Sequence, residues 1–362
     1  MAPQVNSFGE VREGVRAARE SGRRAWLVTL VAVEDSAWRR PGARALFLED
    51  GRRFGSVAGV CIDAALHRVL LESKDDRSRL HRFDERLKLG CPGALHILSE
   101  NWASPAAQLF LESLELAWAQ AEALAVATVW QETPGATLQL GRAVECGGDV
   151  PASGTTDLAG AARALLQGAS PKAEYVAHSL VESWPRRTRV LLAMDASEAG
   201  PFVRQMQLLG WQCALWAAGM ERVEGVDGPV EPGEDAARLD ALLRSFQPVA
   251  VVSMTRRLSL DERVLRASLG LSGVAYLGLV GSRKRCALVV DALIQAEERL
   301  ASQLERLHAP CGLDLSGEAP EAVALSVVAE IQAVLGQKAA PVASLGGRAG
   351  ALHARTASPR GR

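Results

Sequence analysis

The first third of the chain alternates amphipathic and apolar segments, and this pattern predicts a mixed α+β unit. Residues 8–20 carry apolar side chains at helical spacing, which indicates an amphipathic helix. The apolar run 25–33 is rich in β-branched residues and short enough for a buried strand. A strand at 44–48 followed by Asp50 and Gly51 predicts a hairpin. The other elements predicted in this part are helices at about 62–71 and 105–122 and strands at about 94–98 and 125–130.

The second half of the chain alternates short apolar runs with amphipathic stretches. The predicted strands are 189–194, 212–216, 248–253 and 274–279. The predicted helices are 199–209, 235–245, 260–269, 283–307 and 320–335. Strand–helix alternation with right-handed crossovers implies a parallel sheet that has helices on both faces. The predicted fold class is therefore α/β, with an N-terminal α+β domain followed by a Rossmann-like parallel-sheet domain.

Breaks in these patterns divide the chain into four parts. Residues 1–140 form the N-terminal domain, and 141–187, which contain scattered glycine and proline, are interpreted as a connecting region. Residues 188–338 form the Rossmann-like domain. Residues 339–362 have the composition of a disordered tail.

Composition and charge exclude several classes of protein. Apolar residues make up 48% of the 362 residues and the formal net charge is −1, so we do not expect a nucleic-acid binder, which needs a basic face. The chain contains no apolar run of about 20 residues, so we expect no membrane-spanning helix. The beginning of the chain lacks a signal-peptide pattern, so we expect a cytoplasmic protein. The six cysteines are scattered without zinc-ligand spacing.

The first candidate binding segment is the loop between Gly55 and Gly59. Glycines that adopt positive φ let backbone N–H groups converge on an anion, and a helix that begins near Cys61 adds its positive end. Ser56 lies in this loop, and Cys61 lies where a thiolate is favoured. The plainer alternatives are a hairpin exit that needs glycine for its turn and a cysteine that is a small buried apolar residue.

Two more segments have similar chemistry. Cys91 lies in a tight glycine-flanked turn and could approach the same site as Cys61. Gly281 and Ser282 follow a predicted strand, and Ser282 is a candidate N-cap for a helix that begins at Arg283. A glycine turn, an N-cap and a basic first turn suit a phosphate or dinucleotide. The alternative here is a basic helix face in water.

Four segments, in this order, resemble the XdhC/CoxI family, the accessory proteins of molybdenum hydroxylases. They are residues 49–63, 89–93, 276–284 and 307–326, and with the first strand they span about 25–335. The resemblance implies a bacterial maturation chaperone that binds the molybdenum cofactor, of molybdopterin type, as cargo. It implies as partners the large subunit of a molybdenum hydroxylase, a cysteine desulfurase that supplies a sulfido ligand, and a second copy of the chain.

The resemblance also implies which residues contact the cofactor. The cofactor-binding residues are Gly55, Ser56, Gly59, Cys61, Cys91, Gly281, Ser282 and Arg283. Soft thiolates suit molybdenum, so Cys61 is the candidate metal contact, made through the cofactor. No catalytic residue is expected.

The Rossmann-like half departs from the family pattern where NAD would bind. Met194 and Asp195 lie at the end of the predicted strand 189–194, where a dinucleotide-binding domain has a G-x-G turn. Their side chains would obstruct a pyrophosphate, and the carboxylate would repel it. No acidic residue follows the second strand near Trp216 to hold a ribose, and Arg256 and Arg257 replace a His-Asp pair. NAD binding by the usual route is therefore not expected.

Two other functions remain open beside the chaperone. The chain could be an interaction-only assembly factor with a degenerate nucleotide site. It could also be an oxidoreductase linked to NAD(P) or flavin, although the missing glycine turn argues against this.

Overall fold

The computed structural model describes most of the chain. The described residues are 7–35, 37–73, 77–84, 93–120, 122–130, 141–146, 172–176, 179–184, 186–217, 223–233, 235–296 and 303–336. They form two compact units that divide between Arg187 and Thr188.

The first unit contains two antiparallel sheets and three described helices. The helices are α1 (Ser7–Ser21), α2 (Val60–Glu72) and α3 (Pro105–Gln120). The strands are β1 (Ala25–Asp35), β2 (Arg44–Leu48), β3 (Arg53–Gly55), β4 (Arg79–Asp84), β5 (Gly93–Asn101), β6 (Leu124–Val129), β7 (Gly141–Cys146), β8 (Lys172–Val176) and β9 (Ser179–Trp184). The larger sheet has the order β3-β2-β1-β5-β4 and the smaller one β7-β6-β9-β8.

The larger sheet is apolar on both faces because each face is covered. Side chains of α2 such as Leu66 pack with Val28 and Phe47 on one face. On the other face, α1 and α3 pack with Leu27 and with Trp184 of the smaller sheet. Burial of both faces explains why β1 is mostly apolar from Ala25 to Val33 rather than alternating.

The segment 141–187 contributes three strands where the structure describes it, although its sequence pattern predicts connecting chain. β7 and β9 flank β6, and β8 pairs with β9. Glu182 of β9 is 0% exposed and forms an ion pair with Arg44 of the larger sheet, Oε2 to Nη2 at 2.6 Å. This buried pair ties the smaller sheet to β2.

The second unit is built on one parallel sheet. Its strands are β10 (Arg189–Met194), β11 (Gln212–Ala217), β12 (Val230–Pro232), β13 (Ala250–Met254), β14 (Tyr276–Leu279) and β15 (Leu307–His308). Its helices are α4 (Ala196–Leu208), α5 (Ala236–Phe246), α6 (Leu258–Leu269), α7 (Arg283–Ala296) and α8 (Pro320–Leu335). The strand order is β12-β11-β10-β13-β14-β15, and every pairing is parallel.

Helices cover both faces of this sheet, as the alternating pattern predicts. One face packs with Leu239, Val264 and Val289 from α5, α6 and α7, and the other packs with α4 and α8. The predicted class, an α+β domain followed by a Rossmann-like domain, is confirmed. Within the described ranges, no helix is both long and apolar enough to cross a membrane.

Candidate functional site

The glycine loop of the first unit lies between β3 and α2. Gly55 has φ +87° and Gly59 has φ +111°, a region of backbone conformation that favours glycine. A Cβ atom on Gly55 would lie 2.8 Å from the carbonyl oxygen of Arg44, so only glycine fits against β2. The two glycines therefore fix the shape of the loop, as predicted from their spacing.

The backbone N–H groups of this loop converge on a carboxylate of the chain itself. Asp63 of α2 is only 3% exposed, and its Oδ1 accepts hydrogen bonds from the N–H groups of Val57 at 3.3 Å and Ala58 at 3.1 Å. The Ser56 hydroxyl donates to Asp63 Oδ2 at 2.5 Å and accepts from the Gly59 N–H at 3.2 Å. The loop thus binds an anion, as its pattern predicts, but that anion is internal.

Accessible donors lie one step further along, at the start of α2. The N-cap residue, Gly59, has no side chain to cap the helix, and a Cβ atom there would meet no described atom within 4 Å. Val60 is 78% exposed and Cys61 is exposed. The first-turn N–H groups of a helix lack intrahelical partners and carry partial positive charge. An external anion and a thiol contact are therefore both possible at Val60 and Cys61.

The second predicted binding segment, residues 89–93, ends at the first residue of β5. Gly93, the first residue of β5, pairs with Asp35, the last residue of β1. The other end of α2 lies near the beginning of β1, because Arg24 donates to the carbonyl of Ser73 at 3.3 Å. Since α2 is about 20 Å long, it begins toward the end of the sheet where β5 starts. Cys91 itself lies outside the described residues.

In the second unit, a pocket opens where the strand order reverses. β10 and β13 are neighbours, and the helices that follow them, α4 and α6, pack on opposite faces of the sheet; such a switch point is the usual ligand position in open parallel sheets. The void has a volume of about 290 Å³, including space open to solvent. Its lining residues are Met194, Asp195, Trp216, Gly233, Thr255, Arg256, Arg257 and Leu260.

Ion pairs occupy the position of the missing glycine turn. Arg256 Nε lies 2.7 Å from Asp195 Oδ2, and Arg256 Nη2 lies 3.1 Å from Glu198 Oε1. Met194 is 1% exposed and packs in the core below them. Two carboxylates and a bulky side chain therefore stand where the pyrophosphate of a dinucleotide would approach the backbone.

Sequence reasoning did not identify Asp261, which organises this edge of the sheet. Asp261 of α6 is 0% exposed, and its Oδ1 accepts from Ser253 Oγ at 2.8 Å and from the backbone N–H of Thr255 at 3.0 Å. Its other oxygen accepts from Arg285. The available signal was an acidic residue directly beside the buried, apolar Leu260 in an amphipathic helix.

The predicted segment 281–283 borders the same edge. Ser282 Oγ accepts from the Arg285 N–H at 3.2 Å, so Ser282 is the N-cap of α7, as predicted. Arg285 also donates to the carbonyl of Thr255 at 2.7 Å, which places the start of α7 beside the pocket rim. Arg283 is exposed, and a Cβ atom on Gly281 would lie 3.0 Å from Cδ of Arg285.

A separate polar cluster stabilises the far edge of the second unit. The Tyr276 hydroxyl donates to Glu330 at 2.7 Å, and the Gly312 N–H donates to the same oxygen at 2.8 Å. His308 stacks on Tyr276 with ring centroids 4.6 Å apart. Burial raises the pKa of the nearby Cys311 thiol to about 12. These partners identify His308 as a structural residue.

The described cysteines differ in accessibility. Cys61 is exposed, whereas Cys213 and Cys286 are buried, and burial raises the pKa of both buried thiols. In the part of the chain that the structure describes, no group of three or more His, Cys, Asp or Glu side chains could hold a metal ion. Cys61 is thus the described thiol best placed to meet an external ligand.

Two family profiles match the chain. The profile described as the XdhC and CoxI family matches residues 18–84, which include the glycine loop and Cys61. The profile described as the XdhC Rossmann domain matches residues 191–331, which include the switch-point pocket. Together they cover the candidate-site regions of both units.

Relatives of the chain include two curated proteins and one solved structure. The chain is 31% identical over 102 residues to a probable xanthine dehydrogenase subunit of Bacillus subtilis (strain 168), a match that covers 26% of this chain and 31% of that protein. It is 43% identical over 61 residues to the uncharacterized protein YqeB of Escherichia coli (strain K12), covering 16% of this chain and 10% of that one. The matches thus span about a third of the first relative and a tenth of the second.

The solved structure extends the likeness to nearly the whole chain. It is the crystal structure of a xanthine dehydrogenase from Bacillus halodurans, and it superposes with a TM-score of 0.68. The match covers 95% of this chain and 99% of that one at 19% sequence identity. At this level of identity, the likeness concerns the fold.

Proposed function

The chain belongs to the XdhC and CoxI family, and from that premise we propose that it acts in the cytoplasm as an accessory protein of a xanthine-dehydrogenase-type molybdenum hydroxylase. The observation that carries the proposal is the match of both family profiles, in chain order, over the two units. The relative from B. subtilis, whose name describes part of such an enzyme, supports the same partner.

The proposed cargo is the molybdenum cofactor, held at the start of α2. The first-turn N–H groups of Val60 and Cys61 can bind a phosphate, as helix N-termini do. The exposed thiol of Cys61 offers a soft ligand that molybdenum accepts. Open space beside Gly59 lets a bulky ligand approach. Three neutral donors of the loop stabilise the Asp63 carboxylate and lessen its repulsion of an external anion.

Each remaining predicted contact has a defined role in this proposal. Gly55, Ser56 and Gly59 hold the loop in shape, because their donors and conformations serve Asp63 rather than the cargo. Cys91 is proposed as a second thiol near Cys61. In the second unit, Gly281 and Ser282 set the start of α7 and leave Arg283 exposed to bind a phosphate group.

In the proposed cycle, the chain protects the cofactor while a cysteine desulfurase supplies its terminal sulfido ligand. The chain then docks on the large subunit of the apo-hydroxylase and releases the cofactor into it. A homodimer is the proposed assembly. No described residue is assigned a catalytic step, since the chemistry belongs to the partner proteins.

A second candidate is an interaction-only assembly factor. The observation in its favour is that both phosphate-type positions are filled from within, by Asp63 in the first unit and by the Asp195–Arg256 pair in the second. Such a chain would bind the hydroxylase without any cofactor. The same ion pair argues against an NAD- or flavin-linked oxidoreductase that uses the second unit.

Anaerobic purification from cells that make molybdenum cofactor separates the two candidates. Pterin and molybdenum are assayed in the wild type, in Cys61→Ala and in Val60→Ser, a neighbour control that keeps the thiol and the backbone. Near-stoichiometric cofactor in the wild type and Val60→Ser, with loss in Cys61→Ala, supports the carrier. Cofactor in none of them, with retained binding to the apo-hydroxylase, supports the interaction-only role.

A further inference from the structure

We propose that the outer face of α7 is the contact between two copies of this chain, whose α7 helices pair antiparallel about a two-fold axis. The inference rests on the homodimer named in the proposed function, and it adds the surface that forms that dimer. Two observations carry it, namely the exposed apolar side chains of α7 and the opposite charges that flank them.

The inner face of α7 lies in the core of the second unit. Cys286, Val289 and Leu293 are each at most 1% exposed, and they pack in the cluster that covers this face of the sheet. One apolar stripe is what a helix on the surface of a parallel sheet needs. Apolar side chains on the opposite side of α7 therefore have no role in the core.

The outer face nevertheless carries apolar side chains. Leu288 is 51% exposed, Ile294 is 41% exposed, and Ala287 is exposed beside Leu288. Ala287 and Ile294 are seven residues apart and so lie on the same side of the helix. Each other described helix of the second unit exposes at most one large apolar side chain. Exposed apolar side chains that cluster on one face, unlike single ones, are typical of a contact surface.

Two exposed charges of opposite sign flank this apolar face. Lys284 and Asp291 are seven residues apart, which is about two turns or roughly 10 Å along α7. Ala287 and Leu288 lie midway between them. Neither charged side chain has an ion-pair partner among the described residues, so both are available to a neighbouring molecule.

A two-fold axis between Ala287 and Leu288 makes this pattern complementary to itself. In an antiparallel helix pair, Lys284 of each copy lies level with Asp291 of the other, so two ion pairs form. Leu288 of each copy packs over Ala287 of the other, and the small alanine lets the helix axes approach to about 8–10 Å. A parallel pair would instead place like charges together. Another kind of partner would need this same pattern, whereas a second copy has it by identity.

The expected dimer is weak and reversible. α7 has 14 residues and is about 21 Å long, so one helix pair is smaller than a standard interface of about 800 Å² per partner. The ion pairs lie at the exposed rim and mainly set the direction of pairing, while the apolar centre supplies most of the affinity. We therefore expect a dissociation constant of roughly 10 μM.

Sedimentation velocity of the full chain, from about 1 to about 100 μM, tests the proposal. The wild type should shift from one chain to two chains per particle over this range. Leu288→Glu places a charge at the centre of the pair, so it should raise the dissociation constant at least about tenfold. Leu325→Glu is the matched control on α8, where Leu325 is 47% exposed, and it should leave the dissociation constant unchanged.

Reversal of the charges separates this pairing from a general effect on the helix. Lys284→Asp places acidic side chains opposite each other at both ends of the pair, so it should weaken the dimer about tenfold. Adding Asp291→Lys exchanges the two charges and should restore the dissociation constant of the wild type. Residue 284 lies in the first turn of α7, where an acidic side chain is favoured, so the single variant should fold.

Two results would overturn the proposal. A dimer that neither Leu288→Glu nor Lys284→Asp weakens would leave the homodimer in place but move its contact to another surface. A wild type that stays a single chain would remove the homodimer itself, and loss of apo-hydroxylase binding in Leu288→Glu would then assign this face to that enzyme. Neither result bears on cofactor binding, which the pterin and molybdenum assay measures separately.

Discussion

Arg256 Nε lies 2.7 Å from Asp195 Oδ2, and this contact joins two segments that each depart from the family pattern. Asp195 lies where a glycine turn is expected, and Arg256 replaces the histidine of a His-Asp pair. The two departures are physically one change, because the new cation neutralises the new carboxylate and also contacts Glu198. An ion-pair network therefore lies where the family pattern has a glycine turn.

A double-mutant cycle on this pair should give a small coupling. Asp195→Asn, Arg256→Gln and the double variant are compared by urea unfolding. The Arg256 side chain is 73% exposed, so we expect a coupling of about 0.5 kcal/mol. The more exposed pair Arg204–Glu321, at 3.4 Å, is the control and should be nearer zero. A coupling above about 2 kcal/mol would contradict this description of a solvent-screened network.

The buried pair Arg44–Glu182 should behave in the opposite way. Arg44→Met leaves the Glu182 carboxylate buried without its cation, so the free energy of unfolding should fall by about 3–5 kcal/mol. The double variant Arg44→Met/Glu182→Leu should recover much of the loss, because no charge then remains inside.

Chemical denaturation measures both effects, and Arg12→Met is the control for the first. Arg12 pairs with Glu115 where both side chains are about one-third exposed and lies over the Trp118 ring, so its loss should cost about 1 kcal/mol, well below the loss for Arg44→Met. If Arg44→Met and Arg12→Met lowered the free energy of unfolding by the same small amount, the Arg44–Glu182 pair would not tie the smaller sheet to β2.

Replacement of two buried aspartates, Asp261 and Asp63, should lower the free energy of unfolding by different amounts. Asp261→Asn removes the charge that faces Arg285, and it should destabilise by about 3 kcal/mol or more. Asp63→Asn weakens charge-assisted bonds from backbone and hydroxyl donors, with a loss of about 2 kcal/mol. Asp240→Asn, on the exposed face of α5, should be within about 0.5 kcal/mol of the wild type. Thermal and urea unfolding measure the three losses of stability. An order other than Asp261→Asn, then Asp63→Asn, then Asp240→Asn would be inconsistent with the described hydrogen bonds and ion pair.

Thiol labelling should single out Cys61. With Ellman's reagent near pH 8 under native conditions, Cys61→Ala should remove about one equivalent of fast-reacting thiol per chain, because Cys61 is exposed. Cys311→Ser should leave the fast phase unchanged, since burial raises the pKa of Cys311 to about 12. The comparison is a difference between variants, so the remaining cysteines do not affect it. An unchanged fast phase in Cys61→Ala would disprove the exposed position of this thiol.

The first unit should lose stability as the pH falls through the range of histidine titration. Burial lowers the pKa of both His67 and His81 below the ordinary value of 6.5. The unfolded chain therefore binds more protons than the folded one between 6.5 and the lowered values. The contribution is fully present above about pH 6.5 and is lost as the pH falls toward the folded pKa values.

Urea unfolding at pH 7.5 and 5.5 measures this dependence. His67→Gln keeps a donor for the Leu48 carbonyl, which His67 Nε2 contacts at 2.8 Å, but it has no titrating ring. The double variant His67→Gln/His81→Gln should lose less stability between the two pH values than the wild type. An equal loss in both proteins would assign the dependence to other groups.

Much of the fold is predictable from the sequence because the central strands carry an unambiguous signal. Runs such as 25–33 and 189–194 are buried on both faces, so nearly every position is apolar, the exceptions being the buried Thr29 and the half-buried Arg189. The N-cap role of Ser282 also follows from local chemistry alone, because capping depends on residues three apart.

Several strands, among them edge strands, were not predicted, since their residues are selected by partners distant in sequence. β4, with its polar sequence from Arg79 to Asp84, is a partly exposed edge strand. Leu307, predicted as the last residue of a helix, instead begins the two-residue strand β15 beside β14. The strand Ser179–Trp184 contains Glu182, and a charged residue is usually expected at the surface. In the structure Glu182 is buried because Arg44, distant in sequence, pairs with it.

The backbone conformation of the candidate loop was predicted, but the partner of its N–H groups was not. The spacing of Gly55 and Gly59 correctly indicated converging N–H groups, but the identity of their anion depended on Asp63, which pattern alone presents as an ordinary first-turn acid. Asp261 was not predicted either, because it too has the pattern of an ordinary first-turn acid. Both aspartates are the fourth residue of their helix, and both bind the loop that precedes it.

Because Asp63 permanently occupies the anion position inside its loop, the loop is preorganised. A loop that folds around its ligand loses conformational entropy at capture and regains it at release, which links affinity to ordering. Here the internal carboxylate has already ordered residues 56–59. For the proposed carrier, binding of the cargo then includes no cost for ordering this loop. The cargo can leave without any unfolding, and the emptied protein is ready for the next molecule.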